Sequence, residues 1–156
     1  MLNQKGLTFI EIMLTISIAA LIAAMGFNGF YQWRNHISLL NQVDELKSNI
    51  VKVRQLAISA AGEKKWGIRL EDAQYIIFNS DSYDQTNPNN ETILLKSALI
   101  YESETSLSNG NGAYSLDLIF EKFTGQTINI GTITLVSLNN PEVRYSFSVD
   151  NLGNIN

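Results

Sequence analysis

The chain has 156 residues, a formal net charge of −4, 45% hydrophobic residues and 17% charged ones. That is room for one domain besides an anchor, and the acidic balance excludes a broad nucleic-acid-binding surface, which would need clustered Lys and Arg. With no cysteine the domain relies on no disulfide, an absence that says nothing about compartment.

The first stretch, MLNQKGLTFIEIMLTISIAALIAAM, sets the terms for the rest. A short polar leader carrying Lys5 ends at Gly6, and an almost unbroken apolar run follows from Leu7 to Phe30. About 20 such residues at 1.5 Å rise cross the hydrocarbon core of a bilayer. Lys5, just ahead of the run, favours an amino end on the cytoplasmic side. Glu11 is the one ionisable residue within the run. A carboxylate there costs roughly 2.5–3.5 kcal/mol on insertion scales, so it calls for a partner. Leu7 lies four residues upstream, one turn away on the same helical face. A cut between Gly6 and Leu7 would place a new α-amine at the start of the helix. Within one chain that amine is not obviously free to fold back onto Glu11. Between two chains staggered along a common axis, the amine of one can meet the carboxylate of the other. In an apolar bundle such a pair would define register.

The segment Gly6-Leu7-Thr8-Phe9-Ile10-Glu11, with a charged leader before it and an apolar helix after, resembles the type III signal of type IV pilins and pseudopilins. The resemblance implies that a prepilin peptidase cuts after Gly6 and methylates the amine of Leu7, and that Glu11 serves subunit assembly into a filament. It also implies an inner-membrane assembly platform and other pilin subunits as partners. The chain would sit in the bacterial inner membrane, amino terminus cytoplasmic and carboxy-terminal domain outside. The family's usual order is Phe-Thr-Leu-Ile-Glu; here Leu7 and Phe9 are exchanged, and both positions stay apolar and bulky. Two plainer readings compete. A secretory signal peptide wants an A-x-A-like site, for which Ala24-Met25-Gly26 is the nearest approximation, and gains nothing from Glu11. A plain single-pass anchor leaves Gly6 and Glu11 unexplained.

Gly26 and Gly29 weaken the helix by about 1 kcal/mol each relative to Ala, and no proline precedes residue 88. Phe27, Phe30, Tyr31 and Trp33 cluster where the helix should leave the bilayer, as an interfacial aromatic belt does. Beyond them Trp33, Ile37, Leu40, Val43, Leu46, Ile50, Val53, Ala57 and Ala60 recur at spacings of three and four. This predicts an amphipathic continuation of the helix with one apolar stripe, stopping at Gly62 in the C′ position.

The remainder is β in character. Trp66–Leu70 and Tyr75–Phe78 form a pair joined by Glu71-Asp72, and Ile93–Tyr101 is a further run interrupted by Lys96 and Ser97. Asn109-Gly110-Asn111-Gly112 signals a turn before Tyr114–Glu121, which alternates as a half-buried strand. Thr127–Val136 is rich in β-branched residues, and Gly131 predicts a bulge or bend within it. Val143, Tyr145, Phe147 and Val149 alternate cleanly, and the chain ends in a turn near Gly153 with a last strand residue or two. This order of elements, with no disulfide, resembles the H-type minor pseudopilins and their minor-pilin relatives.

Side chains that could carry chemistry are sparse. His36, the only histidine, lacks the cysteines or carboxylates of a transition-metal site and reads as a helix-surface residue; no nucleophile-elbow motif accompanies it. The carboxylate pairs Glu71-Asp72 and Glu102 with Glu104 read as solvated. The stretch 79–91, NSDSYDQTNPNNE, offers oxygen ligands for Ca²⁺ in Asp81, Asp84 and Glu91, with Asn87 and Asn89 between. Some major pseudopilins bind Ca²⁺ in a loop of this domain, but the spacing matches no Ca²⁺-loop motif, so a polar surface loop is the simpler account. Beyond Phe120 only Lys122 and Arg144 are basic, too few for phosphate-driven DNA binding.

These observations predict an α+β, pilin-like fold, a long amino-terminal helix packed on an antiparallel sheet. Residues 1–6 would be a cleaved leader, 7–30 the transmembrane and assembly helix, 31–62 its amphipathic continuation and 63–156 the β-rich domain. The function expected is that of a structural subunit, a minor one, of a type IV pilus or type II secretion pseudopilus-like filament, with no catalytic residues and no cofactor. The alternative is a membrane-tethered module that binds DNA, calcium or a secreted substrate.

Overall fold

The computed structural model describes residues 8–100, 105–108, 113 and 115–156. Gly6, Leu7, Tyr101, Glu102 and Glu104, the 109–112 turn and Tyr114 lie outside the described residues. Among the described residues the element order is one α-helix, α1 (Phe9–Ile58), a short 3-10 turn (Ala61–Glu63), then seven strands: β1 (Trp66–Glu71), β2 (Gln74–Phe78), β3 (Glu91–Leu94), β4 (Ala98–Ile100), β5 (Asp117–Phe120), β6 (Gly131–Ser137) and β7 (Arg144–Val149). The chain divides into two compact units, Met1–Arg34 and Asn35–Asn156.

In the first unit α1 runs uncovered: every described side chain up to Arg34 is exposed. In the second, α1 buries Leu39, Val43, Leu46, Ile50, Val53 and Ala57. These positions step 4-3-4-3-4 and hold one face toward the sheets. The stripe therefore starts at Leu39, not at Trp33, which is 60% exposed, or Ile37, which is 38% exposed, and Leu40 is only partly covered. Periodicity locates the stripe but not the point where the sheets begin to cover it.

The strands form two antiparallel sheets rather than one, ordered β3-β2-β1-β5 and β4-β6-β7. The polar break at Lys96-Ser97 explains the division, because the predicted run from Ile93 splits there: β3 pairs with β2 and β4 pairs with β6. Inward-facing Ile68, Leu70, Tyr75, Ile77, Leu118 and Phe120 of the first sheet join Ile133, Leu135, Phe147 and Val149 of the second in one core with the helix stripe. Full burial of each large apolar side chain contributes about 1.5–3 kcal/mol. The predicted strand from Thr127 begins only at Gly131. There φ is 144°, and an added Cβ would lie 2.0 Å from the Ser106 carbonyl oxygen.

The helix ends at Ile58, before Gly62. Ala60, not Gly62, takes the left-handed conformation right after it (φ 52°), and Gly62 follows at φ 73°. The turn after β5 completes the cap, with the Phe123 amide donating to the Ala57 carbonyl at 3.1 Å.

The first sheet also has a packed outer face. Phe78 is fully buried there, its ring occupying the space where a Cβ on cross-strand Gly67 would stand 2.4 Å away. Tyr83, from the 79–90 loop, packs on Phe78 with ring centroids 5.6 Å apart. The Arg69 guanidinium lies 5.4 Å from the Tyr83 ring and pairs with Asp117 at 3.0 Å. The loop that reads as polar surface is therefore also a cover for this face.

Candidate functional site

The amino-terminal end of α1 carries the most distinctive chemistry. Phe9 is the first helical residue, which makes Thr8 the N-cap and Glu11 the third residue of the first turn. The backbone amide and the hydroxyl of Thr8 both donate to Glu11 Oε2 at 2.9 Å, and the Glu11 amide reaches back to Thr8 Oγ1 at 3.4 Å. This is a reciprocal capping box, in which two of the helix's orphan donors are met by two side chains. The pattern Thr8-Phe9-Ile10-Glu11 has the T-x-x-E spacing that announces it. A reading that looks for Glu11's partner only in another chain overlooks the one three residues away.

Past that turn the helix is an apolar rod. Phe9 is 78% exposed, and Ile10, Leu14, Leu21 and Ile22 are exposed as well. A contiguous apolar surface of this kind marks a membrane or protein contact, and the helix is long and apolar enough to cross a bilayer. The other two polar side chains before Met25 turn inward on their own helix. Thr15 donates to the Ile12 carbonyl at 2.9 Å and Ser17 to that of Met13 at 2.8 Å. Such back-bonding suits a medium that offers no water. Phe30 and Trp33 are in ring contact at 5.9 Å, and both are exposed with Tyr31, as an interfacial belt requires.

The other candidates are not assembled. Asp84 is tied to Thr86, whose amide and hydroxyl donate to its Oδ1 at 2.9 and 2.8 Å; these bonds hold its carboxyl below the usual aspartate range. Glu91 faces Lys52 at 4.0 Å, and Asp81 lines a different hollow. Among the described residues no three His, Cys, Asp or Glu side chains converge as a metal site would need. That hollow, of about 360 Å³, is lined by Glu63, Lys64, Lys65, Asp81, Glu121, Lys122 and Phe123. Its charges balance: Lys65 pairs with Glu121, and Lys122 donates to the Glu63 carbonyl at 2.8 Å. His36 is exposed on the helix. Lys122 and Arg144 lie in different places, one in the turn after β5 and the other at the start of β7.

An apolar helix with a capped acidic first turn, joined to an α+β domain without cysteine, defines the class of fold among the described residues. The comparisons narrow it. Residues 1–27 match the prokaryotic N-terminal methylation motif. Among solved structures the fold is similar to that of the minor pseudopilin EpsH from the type 2 secretion system of Vibrio cholerae. The TM-score is 0.52 at 10% identity, over 76% of this chain and 94% of that one. No curated protein matches the chain. The first 27 residues thus match a prepilin-type motif, and the fold is similar to that of a minor pseudopilin.

Proposed function

We propose that the chain is a minor subunit of a type IV pilus or type II secretion pseudopilus-like filament. A prepilin peptidase cuts after Gly6 and methylates Leu7, and the helix beginning at Leu7 then packs among those of other subunits on an inner-membrane platform. Lys5 holds the amino end in the cytoplasm, with the carboxy-terminal domain outside. Glu11 accepts the amine of a neighbour's Leu7 and sets axial register. The observation that carries this reading is the placement of a single carboxylate in the first turn of an otherwise bare apolar helix. A membrane tether has no use for it. The minor status rests on the likeness in fold to a minor pseudopilin.

The test is the intact mass of the full chain expressed with and without a prepilin peptidase, followed by incorporation of Glu11→Ala into sheared filaments. Peptidase-dependent loss of residues 1–6 with one added methyl group, and exclusion of Glu11→Ala from filaments, are expected. A chain left uncut, or cut near Ala24, would overturn the proposal in favour of an anchored or secreted binding module.

A further inference from the structure

Two turns of the second unit are fastened by polar contacts to the first residues of that unit's part of α1. Ser97, between β3 and β4, donates its amide to Gln42 Oε1 at 3.2 Å, and its hydroxyl is hydrogen-bonded to that of Ser38. Asn139, between β6 and β7, donates its side-chain amide to Asn35 Oδ1 at 3.4 Å. The turns also hold each other, the Leu138 amide donating to the Ser97 carbonyl at 3.0 Å. Leu138 is 53% exposed at this end of the domain. Lys96, next to Ser97, is exposed and has no ion pair among the described residues.

An exposed leucine by itself needs no explanation, but the position of this one supplies a partner. Consecutive Cα atoms are about 3.8 Å apart, so Asn35 stands within about 8 Å of Trp33 in the aromatic belt. The headgroup layer on each side of the hydrocarbon core is itself roughly 5–8 Å deep. A turn bonded to Asn35 therefore reaches that layer whenever Trp33 lies in it. We propose that the turns carrying Leu138 and Lys96 form a docking surface for phospholipid headgroups, those of the bilayer that holds the chain's own helix. Leu138 enters the interface, and Lys96 meets phosphate while its stem covers apolar surface. The other charges at this end balance. Arg144 stands against Glu142, and Asp72 belongs to the β1–β2 turn, whose Ala73 carbonyl accepts the Leu95 amide at 2.8 Å. The apolar tip, not net attraction, thus carries the contact. The inference rests on the membrane reading of α1 and not on the filament reading.

The chain has no cysteine, so single ones can carry a fluorophore to chosen places on the full chain. The chain is placed in phosphatidylethanolamine–phosphatidylglycerol vesicles that contain a lipid with a nitroxide quencher on its headgroup. Tyr31→Cys reports on the belt, Glu142→Cys on the exposed β6–β7 turn and Phe123→Cys on the far end of the domain. The Phe123 amide is bonded to the Ala57 carbonyl, and Ala57 is about 33 Å along the helix from Asn35. Labels at 31 and 142 should be quenched several-fold more than the label at 123. Adding Leu138→Asp should bring the label at 142 down to the level at 123 and leave the label at 31 unchanged. Only residue 138 differs in that comparison, so insertion driven by the label itself is separated out. Lys96→Glu should give a smaller loss. A label at 142 quenched no more than that at 123, with 31 quenched, overturns the docking surface. So does quenching at 142 that Leu138→Asp leaves intact. If the label at 31 also escapes quenching, the membrane reading of α1 falls, and the docking surface with it.

Discussion

From Phe9 to Arg34 the helix shows all its described side chains to the outside, whereas from Leu39 to Ala57 it hides one residue in every three or four. The backbone is the same and the composition explains the contrast. The first stretch is apolar on every side, as a segment solvated by lipid or by other helices must be. The second interleaves Asp44, Glu45, Lys47, Lys52 and Arg54 with its stripe and has its own sheets to pack on. One region is thus stable only in the company of something outside the chain. The other carries its own core.

Matched substitutions break or confirm that division, and the largest effect is expected from a leucine pair. Leu46 is fully buried and Leu14 is 60% exposed. Leu46→Ala should lower the unfolding free energy of the domain by about 2–5 kcal/mol through lost transfer energy and the cavity left behind. Leu14→Ala should leave it unchanged. Urea denaturation of the full chain in detergent, followed by fluorescence of the half-buried Trp66, separates the two. Equal losses would mean that the domain's stability reaches into the first unit.

Next in size is Gly67→Ala, which probes the outer face of the first sheet rather than the core. The new methyl would meet the Phe78 ring at 2.4 Å, and that ring is fully buried, so it cannot simply swing aside. Overpacking of this kind costs about 1–3 kcal/mol. Phe78→Leu in the same chain should recover part of the loss, whereas a mere strand-propensity effect would give no recovery.

Smaller again is Tyr83→Ala, with the loss of one aromatic contact and of the Arg69 guanidinium over the ring. Together these are worth about 1–2 kcal/mol. Exchange of amides in the 79–90 loop should quicken, while those of β1 and β2 stay protected. A loop unchanged by the substitution would return it to being a self-contained polar turn, held by its own hydrogen bonds at Asp84, Asn87 and Asn90.

Much of this was legible before any coordinates. The apolar run and the 4-3 stripe are local patterns, and each maps onto one element; the T-x-x-E spacing is as local, but a search for Glu11's partner in a second chain passes over it. The β1–β2 hairpin was equally visible from its two short apolar runs, and β7 from its alternation. What stayed hidden depends on partners distant in sequence. The polar break at Lys96-Ser97 marks where the run from Ile93 divides, but not which strand each half will pair with. Nothing in a tyrosine among serines and aspartates shows that it covers a phenylalanine on β2. Gly67 reads as a weak strand residue until the ring opposite it is known. Sequence proximity likewise does not show that Asp81, Asp84 and Glu91 face Lys122's hollow, Thr86 and Lys52 respectively.

The smallest expected effect belongs to the carboxy-terminal turn, and its sign can be worked out. Asp150 Oδ1 accepts the amides of Asn154 and Leu152 at 2.8 and 2.9 Å, and Oδ2 accepts the Asn154 side-chain amide at 3.0 Å. These bonds, the Asn154 backbone amide first, hold its carboxyl below the ordinary value of 3.8. The turn they fix brings Ile155 beside Val149 and pairs Asn156 with Ser148, closing part of the open edge of β7. A carboxyl whose folded value is depressed binds fewer protons folded than unfolded. Its contribution is therefore fully present above the unfolded value and is lost as pH falls through the folded one. Asp150→Asn keeps a neutral acceptor but not the charge. Wild type should be the more stable of the two near pH 7, and the difference should close as the pH drops below 3.8. Urea midpoints at both ends of that range test it. A gap that persists in acid would show that shape, not charge, ties the tail to β7.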